Sequence, residues 1–482
     1  MVGSNPAGHE SERTRGSFLV SAVLTYGTNL TVAVLSLVNV LVVSRVLGPS
    51  GRGSVAFLTA IAYLTSNLST FGVQEANANI AAAEPGTRRS LATNSLFLAL
   101  VFGVATIVFL TALIAVFPGV AGDSTAGLRQ LTFASLPILI LGIYMRFLVQ
   151  ADYGFAVTNA AWLITPIANV LLNGALAVFG LLSVGTAVAT WIGGQVLATV
   201  MLVSYVSRHL AGFGRPDFGL MRRSLGFGVR SHAGRVMLLG NYRLDQWLLG
   251  AISGSRELGL YSVAVAWAEA LWYLPTTLAA VQRPDLVRAA RDRAAYQAAL
   301  VFRTVALMTG VAALILIVLA PFFCVTIFGE DFRGSVDDLR ILALGAVGVT
   351  ALKLLGNALT AQQRPGLAST AIGAGFVATI VLDIILIPPF GGAGAASAST
   401  IAYLAGGIAI GVLFTRAVGG RFVDLLPRTA DLKWLWRNAR HVASGTSRRL
   451  AERRSRPAGQ HPEPVPDVKR PEGADDSRQE AP

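Results

Sequence analysis

The residues of this 482-residue chain that could do chemistry are ionisable groups set inside long apolar runs. Arg230, His232, Arg235, Arg243 and Asp245 share one run, and Glu75, Arg146, Glu269, Lys353 and Asp383 fall in others. Each charge costs at least ~2.5–3.5 kcal/mol at the centre of a lipid-facing helix. Summed, they would outweigh a typical folding stability, so they must face one another or a hydrated cavity. Arg45, Arg230 and Arg303 lie near run ends, where a long side chain reaches the interface by snorkelling. Arg235, Arg243, Lys353 and Glu269 lie too deep for that, which favours a functional role. Glu75 and Asp383 are read equally well as capped structural polars.

Guanidinium forks match phosphate oxygens and keep their charge under burial. Arg146, Arg235, Arg243 and Lys353 are therefore the candidate binding residues for a diphosphate headgroup. Small drugs are usually cationic and call for the opposite sign. Carrying two negative charges out of a negative interior gains roughly 4–5 kcal/mol per 100 mV, which could help drive export. The acids Glu75, Asp245, Glu269 and Asp383 would either couple transport to protons or Na⁺ or hold the cations in place, and both readings stay open.

Other chemistries are poorly provided for. Cys324 is the one cysteine, so neither an intramolecular disulfide nor a cysteine metal cluster can form. The five histidines include no H-E-x-x-H, and none of Lys353, Lys433 and Lys469 follows a glycine, so a P-loop is absent. No cofactor or metal is expected. Glu330, Asp331, Asp337 and Asp338 read as a solvated face on a short loop. Loops of about ten residues disfavour a membrane glycosyltransferase or polymerase, and no enzyme activity is expected.

The elements that must position these groups follow from composition. Hydrophobic residues make up 53% and charged ones 13%, against roughly 25% charged in soluble domains. Apolar spans fall at roughly 18–44, 54–83, 91–117, 131–151, 157–182 and 184–207, then at 225–252, 257–282, 300–328, 336–362, 367–390 and 394–416. Each is long enough to cross a ~30 Å hydrocarbon core as a helix, and strand alternation is missing. The fold class is an all-α membrane protein of about twelve helices. The run after residue 17 is too long for a signal peptide and reads as a retained first helix.

Arginines set the orientation. Arg88, Arg89, Arg208, Arg215, Arg222, Arg223, Arg283, Arg288, Arg291, Arg293 and Arg364 share one side with the basic tail. Both termini are thus expected in the cytoplasm. Net charge is +13, but its placement beside spans points to anionic membrane lipids as partners rather than nucleic acid.

The chain also repeats. Arg45–Gly53 after span one answers Gly250–Gly259 after span seven, Gln150–Gly154 answers Gln362–Gly366, and Asn173 before Gly180 answers Asp383 before Gly391. Six spans is an even number, so the pseudo-axis lies along the membrane normal. The expected organisation is a cytoplasmic N-terminus (1–17), a six-span lobe (18–207), a basic linker (208–224), a second six-span lobe (225–416), a basic segment (417–455) and a disordered tail (456–482). The basic segment reads either as an interfacial helix on anionic lipid or as a solvated tail.

Arg45-x-Leu-Gly-Pro-x-Gly-x-Gly53, Asp245 ahead of Gly259-Leu-Tyr261, and Leu382-Asp383 leading to Pro388 and Gly394-Ala-Ala396 resemble the Wzx-type oligosaccharide flippases. These belong to the multidrug/oligosaccharidyl-lipid/polysaccharide exporter superfamily, and the resemblance spans roughly residues 18–416. It implies V-shaped lobes, alternating access and a cationic cavity for a polyprenyl-diphosphate-linked oligosaccharide. It further implies a bacterial cytoplasmic membrane and partnership with polysaccharide polymerase or glycosyltransferase machinery. A cation-coupled multidrug exporter on the same fold is the alternative. Asp383 departs from the pattern, standing where Asn is common. The lipid II flippase resembles a longer version, with two extra spans that the region after Arg416 lacks.

Overall fold

The computed structural model describes residues 6–428 apart from Ala211, with side chains from Gly27 onward except at Ser231 and Pro284. The expectations for the chain beyond Arg428 lie outside these residues. A chain in lipid must satisfy its backbone polar groups internally, and among the described residues every regular element is a helix. In order these are α1 (Pro6–Leu68), α2 (Val73–Ala83), α3 (Arg88–Val116), α4 (Ala126–Ala134), α5 (Leu136–Ala151), α6 (Phe155–Val178) and α7 (Val184–His209). Then come α8 (Phe218–Ile252), α9 (Gly254–Ala270), α10 (Tyr273–Arg288), α11 (Arg291–Val318), α12 (Ser335–Leu344), α13 (Ala346–Ala361) and α14 (Pro365–Val418).

Two of these are double. α1 breaks at Gly48 (φ 66°) and α14 at Gly391 (φ 54°). At the second break the chain folds back, because a Cβ on Gly394 would lie 2.1 Å from the carbonyl of Leu386. In a straight helix those residues would be ~12 Å apart. Eight stretches are long and apolar enough to cross a membrane. Counting α1 and α14 twice, and adding α8 and the α9–α10 pair with their charged residues, makes the described helices consistent with twelve segments.

The backbone carries the repeat. Left-handed φ recurs at Gly48 and Gly254, Gly122 and Gly329, Tyr153 and Gln363, Gly180 and Gly391, and Gly212 and Gly419. The members of each pair stand 206 to 211 residues apart. Surfaces such as Leu100, Val108 and Phe109 of α3 or Ile384 and Ile385 of α14 are exposed, as a lipid-facing wall requires.

The halves touch at both ends of the second part of α1. At one end Gly53 packs on the backbone of Ser255 and Gly259, and Ser54 Oγ donates to Ser255 Oγ at 3.2 Å. At the other, the carbonyl of Gly228 lies where a side chain on Gly72 would go. Here Arg223 of α8 also holds Glu84 across a 2.6 Å ion pair, and this hydrogen bond keeps the Glu84 carboxyl below its usual range. Both ends are shut.

Two polar residues, Arg303 and Asp338, depart from expectation. Arg303 does not snorkel: it is 5% exposed, and its Nη1 donates to the carbonyl of Asp424 at 2.8 Å. Arg45 is exposed, but its Nε and Nη2 cap the carbonyls of Ile327 and Thr326 at 2.7 and 3.0 Å. Asp338, read as part of a solvated face, is 4% exposed and sits against Gly392 beside Glu257. The turn of α12 rotates it inward while Asp337 stays outside with Arg340.

Candidate substrate site

α8 organises the charges. Asp217 caps its start, Oδ1 accepting from the Leu220 amide at 2.9 Å. The helix then runs 35 residues past α1, α2, α9 and α14. Arg235 and Arg243 are eight residues apart, or ~12 Å along the axis, so one helix presents cations at two depths.

The first meets the break between α1 and α2. There the last carbonyls of α1 lack helical partners, and His232 Nε2 lies 2.8 Å from that of Leu68, while Tyr144 Oη donates to the Thr70 carbonyl in the turn that follows at 3.0 Å. Glu75 stands in the first turn of α2, where the helix dipole favours an anion. Arg235 Nη1 reaches its Oε1 at 2.7 Å. The Arg235 guanidinium also lies 5.4 Å from the Phe147 ring centroid. Glu75 is thereby an ion-pair partner.

At the second depth Arg243 grips Glu269 of α9 with both nitrogens, Nη1–Oε1 at 2.9 Å and Nη2–Oε2 at 3.3 Å. Lys353 of α13 lies over the rings of Tyr242 and Trp272, 5.5 and 5.9 Å from their centroids, within cation–π range. Its electrostatic neighbour is Glu269.

Arg146 of α5 stacks on Trp162 of α6 at 4.3 Å, with its Nε buried and unpartnered. Tyr63 and Arg235 are its electrostatic neighbours. Tyr63 is also a neighbour of Arg243, so it stands between the two depths. Arg52 joins the group beside Arg243, its Nε likewise buried without a partner. In the sequence Arg52 falls between the first two apolar runs, 18–44 and 54–83, outside both. Pro49 was the overlooked signal, since proline opens helices and places Arg52 in the first turn.

Of the four candidate cations, Arg235 and Arg243 thus sit in ion pairs, while Arg146 and Lys353 rest on aromatic faces. With Arg52, three positive charges lack a carboxylate partner among the described residues. Burying unpaired cations is costly, and these three, each beside a residue of α8, make a set of charges that an anion would neutralise.

The remaining acids lie within the second half. Asp245 accepts from Tyr261 Oη at 2.5 Å, Ser399 Oγ at 3.2 Å and the Gln246 amide at 2.7 Å. Asp383 is 0% exposed, neither of its oxygens has a hydrogen-bond partner, and Asp245 is its electrostatic neighbour. The repeat sharpens the contrast. At the matching places of the first half stand Asn39 and Asn173, joined Nδ2 to Oδ1 at 2.8 Å. Two amides share a hydrogen bond; two ionised carboxylates, with no donor between them, cannot.

An all-helical bundle with a repeated backbone and charges set inside long apolar segments defines a polytopic membrane fold. The chain belongs to the polysaccharide biosynthesis protein family, whose model matches residues 42–337, more than half its length. No curated protein sequence matches it significantly. Among solved structures it is similar to the lipid II flippase MurJ in an inward closed conformation, with TM-score 0.67 and 15% identity over 84% of this chain and 89% of that one. A MATE-family multidrug resistance transporter in an inward-facing conformation gives 0.64 and 13%, covering 83% and 98%. A transporter of the same MOP superfamily from Pyrococcus furiosus, described as having a binding pocket of reverse polarity, gives 0.56 and 14%, covering 83% and 94%. At such identities the likeness concerns the fold.

Proposed function

We propose that the protein is a flippase moving a polyprenyl-diphosphate-linked oligosaccharide across the bacterial cytoplasmic membrane for cell-surface polysaccharide synthesis. The observation that carries this reading is the excess of cations around α8. Among the described residues Arg52, Arg146 and Lys353 make no ion pair, beside Arg235 and Arg243, which do. A diphosphate neutralises such a group, whereas a cationic drug would be repelled. Membership of a polysaccharide biosynthesis family supports the same substrate class.

In this reading Arg146, Arg235, Arg243 and Lys353 bind the headgroup when the halves part, with Glu75 and Glu269 holding Arg235 and Arg243 until it arrives. Asp245 and Asp383 form the coupling site, since an unpartnered buried carboxyl calls for a proton or a small cation. The two halves, residues 18–207 and 225–416, rock about the linker with both termini in the cytoplasm. The glycan is handed to polymerase or glycosyltransferase machinery. Chemistry on the sugar is left to those partners.

Reconstituted vesicles test this by following headgroup accessibility of a fluorescent prenyl-diphosphate sugar alongside ethidium efflux. Movement of the sugar lipid is expected. Efflux of the dye with a stationary sugar lipid would refute the flippase reading in favour of drug export.

A further inference from the structure

A second cationic corner lies away from α8, where α10 meets α11 and α13 meets α14. There α10 ends at Arg288, α11 begins at Arg291, and α13 turns into α14 through Gln363 (φ 61°). Between them opens a cleft of about 270 Å³ lined by Leu286, Ala289, Arg291, Gln362, Gln363 and Arg364. Arg291 Nη2 and Arg364 Nη1 donate to one and the same acceptor, the carbonyl of Ala417 in the last turn of α14, Arg364 at 2.9 Å. A guanidinium has five N–H donors, so most remain uncommitted. Neither arginine makes an ion pair among the described residues. Beside them Gln362 Nε2 is buried with no acceptor.

The first half shows what such a corner wants. Its equivalent turn runs through Tyr153 (φ 59°), and α3 begins at Arg88 as α11 begins at Arg291. Asp152, at the place Gln362 holds in the repeat, faces Arg88 with Oδ1 2.6 Å from Nη1. The first half therefore fills its cationic corner with its own carboxylate. The second half has an amide at that position and two guanidinium groups instead of one. Charge and donors are present, and the internal anion is gone.

We propose that this corner is an anion site for a phosphate group, distinct from the charges on α8. Paired guanidinium groups match phosphate oxygens in geometry as well as charge, and Gln362 Nε2 adds a neutral donor. Leu286 and Ala289 on the adjoining wall suit a phosphate that carries an ester chain. The group comes either from a phospholipid headgroup at the membrane edge or from a small soluble phosphate, and the two are separable by experiment.

The test uses the purified full chain and the variants Gln362→Asp and Arg364→Gln. Two probes are compared: radiolabelled inorganic pyrophosphate, and phosphatidylglycerol retained against a phosphatidylcholine background by native mass spectrometry. Gln362→Asp recreates the first half's carboxylate, so it folds and should weaken the corner's binding by about tenfold or more. Arg364→Gln should weaken it similarly. Loss of phosphatidylglycerol retention identifies a lipid headgroup as the ligand, and loss of a saturable pyrophosphate component identifies a soluble phosphate. Because the α8 cations are untouched in both variants, any binding they provide persists. If both variants bind both probes as wild type does, or wild type binds neither, the proposal is overturned.

Discussion

Gly53 and Gly259 lie in each other's backbone. A Cβ on Gly53 would fall 1.7 Å from the carbonyl oxygen of Ser255, and one on Gly259 would fall 1.8 Å from that of Pro49. The contact is reciprocal, and each residue is 206 positions from its counterpart, which is what a two-fold relation between the halves produces. Because backbone meets backbone, no flexible side chain can yield. Gly259→Ala should therefore cost about 1–3 kcal/mol, seen as a lower unfolding midpoint in detergent. Gly53→Ala should cost a similar amount, and the double variant less than the sum, since either change alone already separates the surfaces. Additive losses would mean that the two glycines do not share one contact.

Arg235 should be graded by charge. Arg235→Lys keeps a cation but loses the fork and should retain part of the transport. Arg235→Glu places a second anion beside Glu75 and should abolish it. The swap Arg235→Glu with Glu75→Arg repairs the ion pair without repairing transport if the cation must come from α8. Full recovery in the swap would make the pair purely structural. Flipping of a fluorescent lipid-linked sugar in vesicles is the readout.

For Arg243 the expected defect is in transport, provided Glu269 is not left as a lone buried charge, a loss worth about 3–5 kcal/mol. Arg243→Ala combined with Glu269→Gln should reach the membrane at normal levels yet fail to complement a flippase-null strain. Lys353→Ala, which strands no partner, should behave the same way by itself. Complementation by both variants at native expression would remove these residues from the site.

Asp383→Asn tests coupling. The amide would be able to donate to Asp245, as Asn173 does to Asn39, and ending the unpartnered burial should raise stability by about 1–3 kcal/mol. Transport should at the same time stop responding to an imposed proton or Na⁺ gradient. A variant whose rate still follows the gradient would show that Asp383 serves only packing.

Topology is checked by cysteine labelling in a Cys324→Ser background. Gly119→Cys, on an exposed turn, should react with an impermeant maleimide in intact cells. Arg293→Cys, exposed at the start of α11, should react only after permeabilisation. The opposite pattern would invert the orientation and every depth assigned to the charges.

Much of this molecule is written locally. Hydropathy marks the segments because lipid leaves a spanning chain few choices but the helix, and the glycines that break α1 and α14 stand where the sequence repeats. Helical membership and approximate depth of Arg146, Arg235, Arg243, Lys353 and Asp245 follow from counting residues along each run. Tertiary structure decided the partners. Arg235 finds Glu75 across 160 positions, Arg52 turns inward beside Arg243, and Arg303 is buried under Asp424. Asp338 and Asp337 are neighbours in sequence with opposite fates. Counting along a helix gives height but not the rotation that selects which face meets which neighbour. That rotation is set by packing such as Gly53 on Gly259 and Gly72 on Gly228, contacts between residues that no local pattern connects.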